Sequence, residues 1–224
     1  MIYNIEAVAF DIDGTLYPSW KLFIRMVFYV LKNLRFYIHF NKIRNKLHVT
    51  APLPDLYEYQ ARLYSESARV SVEDARKKIQ SVCYDGLKKI FRKIKPYEYA
   101  YEFMKNCKTA GLKVGILSDF PPSQKEEIWG MKELTDVCIG SEEAGCLKPC
   151  IYPFGILSQK LGVDPSKILY VGNSHRYDVL GAKNAGMYSA YILTGFEKLF
   201  NRKNPVADIS FRNYRELERI VFQK

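Results

Sequence analysis

Apolar and polar residues follow two different patterns in this chain, and each pattern occupies its own part of the sequence. From residue 97 onward, short apolar runs typical of buried strands alternate with longer segments of helical spacing, and one more such run stands near the start. Strands are therefore predicted at residues 8–10, 113–118, 137–140, 168–172, 189–193 and 208–211. Strands that alternate with helices predict a parallel sheet covered on both faces, an α/β fold with a Rossmann-like, doubly wound core.

Between the first and second strands the pattern is helical throughout, with helices predicted at residues 20–48, 55–69 and 72–94. Because strand patterns resume only after Pro96, we expect a core formed by residues 1–16 and 97–224, and an inserted all-α cap formed by residues 17–96. The core helices are predicted at residues 97–110, 122–133, 151–161 and 177–185, with one more after the last strand.

Positive charge is concentrated in the cap region. Residues 17–96 hold 17 Lys/Arg against 6 Asp/Glu, whereas the rest of the 224-residue chain holds 17 against 18. The segment 20–48 has no acidic residue, and its run 26–31 is apolar all round, which predicts a helix buried on several sides. Its basic residues leave no uncharged span of about 18 residues, so a transmembrane helix is not expected. We expect this segment to contact an anionic membrane surface or a second copy of the chain.

Other partners and compartments are constrained by what the sequence lacks. It has no zinc-ligand spacing, no RNA-binding aromatic signature and no regular repeat, so no nucleic-acid partner is expected. Its five cysteines are scattered without a C-x-x-C pair, which is typical of free thiols in a reducing compartment. A cytoplasmic location is therefore predicted.

Candidate chemistry begins where the first strand ends. Asp11 and Asp13 directly follow the apolar run, and Gly14 ends the strand. A carboxylate beside a bound Mg²⁺ can attack phosphorus and form an aspartyl phosphate, while a second acid protonates the leaving oxygen and later activates water. Because ligands of parallel sheets bind at the carboxyl edge, we expect these acids to meet the polar residues that follow the later strands. Those residues are Ser118, Asp119, Lys148 and the cluster 173–178.

In this order the residues resemble the motifs of the haloacid dehalogenase-like superfamily, in particular its phosphatases with a helical cap between the first and second motifs. The first motif is matched by residues 10–15, Phe-Asp-Ile-Asp-Gly-Thr, and the second by Ser118. The resemblance implies that Asp11 is the nucleophile, that Asp13 is the general acid and base, and that Ser118 holds phosphoryl oxygens. The third motif is matched by Lys148, which implies a lysine that neutralises the charge of phosphate and nucleophile.

The fourth motif is matched by residues 171–178, and the chain departs from the family pattern at two positions. The family usually carries an acid where this chain has Asn173, and an Asn commonly stands where it has Asp119. The site residues expected from the resemblance are Asp11, Asp13, Asn173 and Asp178 for Mg²⁺, and Ser118, Asp119 and Lys148 for the phosphoryl group.

We therefore predict a Mg²⁺-dependent phosphatase that hydrolyses a small phosphate monoester through an aspartyl phosphate. The paired acids argue against carbon–halogen chemistry, because a leaving alkoxide needs a proton and a halide does not. Two alternatives remain at this stage. One is a phosphomutase of the same fold, and the other is a binding or scaffold protein with a metal site weakened at Asn173 and Asp119, resting on a membrane surface.

Overall fold

A computed structural model describes residues 4–223, and within them one sheet of six parallel strands has the order β3-β2-β1-β4-β5-β6. The strands are β1 (Ala7–Phe10), β2 (Lys113–Ser118), β3 (Val137–Gly140), β4 (Ile168–Gly172), β5 (Tyr188–Ile192) and β6 (Ile209–Phe211). Strand β1 is central, with all four residues buried. The chain builds the sheet outward from β1 in both directions, so the predicted doubly wound α/β fold is confirmed.

Six α-helices lie between β1 and β2 in the described part of the chain, and the first five of them fall within residues 17–96. These five are α1 (Ser19–Lys32), α2 (Leu34–Leu47), α3 (Leu56–Ala68), α4 (Val72–Ile79) and α5 (Gly86–Phe91), and a π-helical turn Gln80–Asp85 joins the last two. The side chains of Asp55 and Ser71 cap α3 and α4 by accepting hydrogen bonds from backbone N–H groups of the first turn. The chain leaves the core and returns at one place, since the Tyr97 N–H donates to the Leu16 carbonyl oxygen over 2.8 Å. The division into core and cap at these residues stays the prediction made from the sequence.

Helices cover both faces of the sheet. The core helices are α6 (Ala100–Thr109), α7 (Ile151–Leu161), α8 (Leu180–Asn184), α9 (Gly195–Leu199) and α10 (Tyr214–Phe222). On one face, Phe10 of β1 packs against Phe103 of α6 and Tyr214 of α10. On the other face, Ala9 lies in a second cluster with Phe154 of α7. Alternate side chains of the central strand thus enter two separate cores, as expected for a sheet buried on both sides.

The segment 20–48 forms two helices rather than the single one predicted. Helix α1 ends at Asn33, where the backbone leaves helical geometry (φ −117°, ψ 29°) and the side-chain amide donates to the Tyr29 carbonyl oxygen. Helix α2 buries six residues, but α1 buries none. The prediction that residues 26–31 are buried on several sides is wrong, since Phe28 is 82% exposed. Across residues 4–223, no helix has the length and apolar character needed to cross a membrane.

Residues 122–133, predicted as one helix, form three short 3₁₀ turns instead. Ile128 and Trp129 have φ values of 50° and 55°, in the left-handed region that a continuing α-helix cannot use. A π-helical turn, His175–Val179, opens the helix predicted at residues 177–185, and the short helix α9 was not predicted. Helical spacing of apolar residues therefore located the segments 122–133 and 177–185 but not their exact backbone geometry, and it did not locate α9.

Candidate active site

The turn after β1 places the two candidate acids at the carboxyl edge of the sheet. The Asp11 N–H donates to the Val171 carbonyl oxygen over 2.9 Å, which continues the pairing of β1 with β4. Gly14 follows with φ +88°, and a Cβ atom there would lie 2.4 Å from Nδ2 of Asn173. Only glycine allows this turn to lie so close to the loop after β4.

Asp11 is buried and contacts two side-chain donors. Its Oδ1 accepts a hydrogen bond from Lys148 Nζ at 2.8 Å, and its Oδ2 accepts one from the Thr15 hydroxyl at 2.9 Å. Burial raises the pKa of Asp11 to about 7, against the lowering effect of the Lys148 charge. The carboxylates of Asp178 and Asp13 act in the same direction as burial. Positive charge added nearby would therefore favour the ionised, nucleophilic form of Asp11.

Lys148 is a buried cation shared by two carboxylates. Its Nζ lies 2.8 Å from Asp11 Oδ1, 2.6 Å from Asp178 Oδ1 and 3.1 Å from the Tyr170 hydroxyl. Burial alone would lower the pKa of Lys148, but Asp11 and Asp178 outweigh it and hold this pKa well above its usual value. The Tyr170 hydroxyl in turn donates to the Leu117 carbonyl oxygen at 2.7 Å. The lysine is thus fixed in its charged form beside the candidate nucleophile.

Asp178 and Asp119 both accept hydrogen bonds from Lys148, the first from its side chain and the second from its backbone. Asp178 Oδ2 accepts hydrogen bonds from the backbone N–H groups of Asn173 and Ser174, at 3.1 and 2.9 Å, while its Oδ1 binds Lys148. Asp119 Oδ1 accepts from the Lys148 backbone N–H at 3.0 Å. The structure therefore shows these carboxylates as positioning groups. The metal role of Asp178 and the phosphate role of Asp119 stay predictions.

Asp13 has partners that the sequence did not reveal. Lys125 Nζ lies 2.8 Å from Asp13 Oδ2, and the Tyr17 hydroxyl donates to Asp13 Oδ1 at 2.6 Å. Burial would raise the pKa of Asp13, but the Lys125 charge and these two hydrogen bonds bring it below its usual value. The hydroxyl of Ser118, predicted to hold phosphate, lies 3.4 Å from Asp13 Oδ2. Lys125 carries no motif signal, since it lies 112 residues from its partner in an irregular segment.

The side chains of Asp11 and Asn173 each offer one oxygen atom that could bind a hard cation such as Mg²⁺. The Thr15 hydroxyl lies 2.9 Å from Asp11 Oδ2 and 3.2 Å from Asn173 Oδ1, so both oxygens lie within hydrogen-bond distance of the same hydroxyl and are close to each other. Carboxylate and amide oxygens are the ligands that Mg²⁺ accepts. Within residues 4–223, no group of three or more His, Cys, Asp or Glu side chains is arranged to hold a metal. The fit therefore depends on the Asn173 amide, and both oxygens of Asp13 already carry hydrogen bonds.

A large cavity opens above these groups and reaches into the cap. It has a volume of about 730 Å³, with Asp11, Asp13 and Lys148 on the core side. Apolar residues of α1, α2 and α5 line the opposite side. One cap residue also holds the lysine loop: His48 lies 2.6 Å from the Lys148 carbonyl oxygen and stacks on Tyr177 with ring centroids 4.2 Å apart. The cavity is thus lined by charged residues of the sheet edge on its floor and by apolar residues of the cap on the opposite side.

A parallel sheet with paired acids after its central strand and a lysine from a later loop is the arrangement that the motif resemblance implied. A family profile described as a haloacid dehalogenase-like hydrolase matches residues 5–186. The chain therefore belongs to the haloacid dehalogenase-like hydrolases.

Relatives with assigned activities include two kinds of phosphate-releasing enzyme. The chain is 27% identical over 192 residues to pyrophosphatase PpaX of Bacillus cereus (strain AH820), covering 84% of this chain and 83% of that protein. It is also 27% identical to glyceraldehyde 3-phosphate phosphatase of Methanopyrus kandleri, covering 97% of each chain.

Solved structures share the fold over nearly the whole chain. A HAD phosphatase from Thermococcus onnurineus superposes with a TM-score of 0.63 at 23% identity, covering 97% of this chain and 98% of that one. L-2-haloacid dehalogenase from Xanthobacter autotrophicus superposes with a TM-score of 0.66 at 18% identity and the same coverage. Because both phosphatases and dehalogenases share this fold, the chemistry must be argued from the site.

Proposed function

We propose that this protein is a Mg²⁺-dependent phosphatase that hydrolyses a phosphate monoester through an aspartyl phosphate on Asp11. The observation that carries this proposal is the buried pair of Asp11 and Lys148, which lies at the floor of a cavity beside a second carboxylate, Asp13. A dehalogenase has no need of that second acid, because halide leaves without a proton. Relatives named as phosphatases and pyrophosphatases support the same assignment.

The reaction proceeds in two displacements at phosphorus. An Asp11 oxygen attacks the phosphorus atom, the bond to the ester oxygen breaks, and Asp13 delivers a proton to that oxygen. Water then attacks the phosphorus of the aspartyl phosphate, and Asp13 takes the water proton. The bond from phosphorus to the Asp11 oxygen breaks, so that inorganic phosphate leaves and the Asp11 carboxylate is restored. Lys148 and Ser118 hold the phosphoryl oxygens in both steps. When bound, Mg²⁺ supplies further positive charge to the phosphoryl group, with Asp11 and Asn173 as its side-chain ligands.

The contacts of Asp13 suit its two roles unequally. Hydrogen bonds from Lys125 and Tyr17 favour its carboxylate form, which is the form that accepts a proton from water. Delivery of a proton in the first step requires Asp13 to give up one of these donors. A poor leaving group needs this proton more than an activated one does. Esters with poor leaving groups should for this reason depend on Asp13 more strongly than activated esters do.

The test is a panel of phosphate esters assayed with and without Mg²⁺, using wild type and Asp11→Asn. We expect Asp11→Asn to abolish turnover while the protein stays folded, because an amide does not form the acyl phosphate. Glu66→Gln, which changes an exposed acid outside the cavity, serves as the control and should keep full activity. Substantial hydrolysis by Asp11→Asn would refute the nucleophile assignment.

The same panel, repeated with a sugar phosphate as donor and a second sugar as acceptor, separates the two alternatives. A phosphomutase would transfer phosphate to a second sugar faster than to water. A binding or scaffold protein would turn over no ester at any Mg²⁺ concentration. We place the enzyme in the cytoplasm as part of this proposal, since all five of its cysteines are free thiols.

A further inference from the structure

The cavity above the acid pair is much larger than a phosphate group requires. Its volume of about 730 Å³ lies in the range of pockets that enclose drug-sized ligands, roughly 300–1,000 Å³. Helix α1 alone contributes six apolar lining residues: Leu22, Phe23, Met26, Val27, Val30 and Leu31. An ester with a leaving group of only a few atoms would leave most of this apolar surface in contact with water.

Two polar side chains above the floor, Arg44 and Gln124, are already paired within the protein, whereas the buried Tyr37 hydroxyl has no partner among the described residues. Arg44 is bound to the carboxylate of Glu142 and also donates to Gln60. Gln124 donates to the Cys83 carbonyl oxygen at 2.9 Å. A sugar or nucleoside leaving group would need unpaired donors and acceptors here, because polar groups buried without partners cost free energy. The wall that α1 contributes is apolar and, unlike the Tyr37 hydroxyl of α2, offers no partner to a hydroxyl-rich leaving group.

One stripe of α1 faces the cavity without being buried by the protein itself. Phe23, Val27 and Leu31 line the cavity at spacings of four residues, yet they are 69%, 49% and 61% exposed. Residues at such spacing lie on one face of a helix. An apolar chain bound in the cavity would cover this stripe and remove it from water.

We propose that the substrate of this enzyme is a phosphate monoester with an extended hydrocarbon leaving group, which lies along the α1 stripe while its phosphate meets Asp11 and Lys148. The proposal rests on the proposed function, because that function places the phosphate at the cavity floor. It narrows the substrate class from any small ester to an amphiphile with a single phosphate head.

A homologous series from ethyl to decyl phosphate, kept below micelle-forming concentrations, tests the chain-length dependence. We expect kcat/KM to rise by up to about fourfold for each added methylene until the cavity is filled, because a buried methylene is worth about 0.8 kcal/mol. A flat or falling series, with ethyl phosphate hydrolysed as well as decyl phosphate, would overturn the inference and leave the phosphatase assignment intact.

Two variants on the same helix provide a matched comparison. Val27 lines the cavity and Ile24 does not, although both are β-branched, apolar and exposed. Val27→Asn should flatten the chain-length series, whereas Ile24→Asn should leave its slope unchanged. Thermal unfolding of both variants shows whether each is folded. Equal slopes in the two variants would contradict the placement of the hydrocarbon chain.

Binding measured without turnover separates this inference from the proposed function. Calorimetric titration of the wild-type protein with ethyl, hexyl and decyl phosphonates should show affinity that rises with chain length. If it does while no ester is hydrolysed, the ligand class stands and the phosphatase assignment is wrong. If affinity is independent of chain length, the inference is wrong. A dimer that Val27→Asn dissociates would identify a second copy of the chain as the occupant of the stripe and would also overturn it.

Discussion

The buried ion pair between Arg44 and Glu142 connects the cap to the core, and the removal of one partner should destabilise the protein strongly. Arg44 belongs to α2, whereas Glu142 follows β3, and their side chains are only 8% and 0% exposed. The Tyr84 hydroxyl donates to Glu142 at 2.9 Å, and the Arg44 guanidinium lies 4.2 Å from the ring centroid of Phe120. Glu142→Gln removes one charge and keeps the shape of the side chain. It leaves the buried Arg44 cation without the carboxylate that binds it directly, and only the charge of Asp119 still acts on it.

The loss of stability expected for Glu142→Gln follows from the burial of Arg44. Removing one partner of a buried ion pair costs about 3–5 kcal/mol, because the remaining charge stays desolvated. In a chain of this length, 1 kcal/mol corresponds to about 2–4 °C in Tm, so we expect Glu142→Gln to lower Tm by roughly 10 °C. The double variant Arg44→Met/Glu142→Gln removes both charges. It should lose less than the sum of the two single changes, with a coupling energy of about 2 kcal/mol or more.

Urea unfolding of the wild type, both single variants and the double variant measures this coupling directly. The control is Glu126→Gln, which breaks an ion pair with Arg92 whose side chains are 40% and 63% exposed. Exposed pairs are screened by water and salt, so the unfolding midpoint of this variant should hardly change. If Glu142→Gln and Glu126→Gln have equal effects, the Arg44 pair is not desolvated and the reasoning is refuted.

Three further predictions concern the site and the cap. Asn173→Asp should lower the Mg²⁺ concentration for half activity by about tenfold, since a carboxylate attracts the ion more strongly than an amide; identical Mg²⁺ titrations would remove position 173 from the metal site. Lys125→Met should lower kcat by at least about tenfold in steady-state assays, because it removes a contact that holds Asp13; an unchanged kcat would show that this contact is dispensable. The segment 20–48 should bind anionic vesicles more than neutral ones in flotation assays, and salt should release it; no such preference would exclude the membrane contact.

The sequence predicted the sheet and the position of its carboxyl edge well, because buried strands leave continuous apolar runs. Asp11 was placed correctly after the central strand for this reason. The roles of Lys148 and Asn173 came from motif resemblance, since nothing local distinguishes an exposed lysine from a buried one. Lys125 was missed because it lies on a 3₁₀ turn, Pro122–Lys125, where helical spacing had predicted an α-helix. Spacing alone cannot predict such a turn or the contact with Asp13.

Helix α1 shows that the composition of a helix does not predict its burial. Its composition was interpreted as that of a buried helix, but the number of apolar residues says nothing about which surface covers them. The break at Asn33 separates α1 from α2, and α2 alone supplies the buried residues expected of the whole segment. Composition did not reveal that the protein covers one side of α1, with Met26 and Val30, and leaves Phe23 and Phe28 exposed. That these exposed side chains contact another apolar surface stays a prediction.

The hydrogen bond between Tyr97 and Leu16 has a consequence for how such enzymes can diversify. Because the inserted helices enter and leave the core at adjacent residues, a different insert can replace them without altering the strand order, provided that its ends pack around the buried Leu16 and Tyr17. Substrate specificity can then change when the whole inserted helical segment is exchanged, rather than by single substitutions. Two contacts restrict such an exchange here: a transplanted cap has to supply its own partner for Glu142 and for the backbone of Lys148.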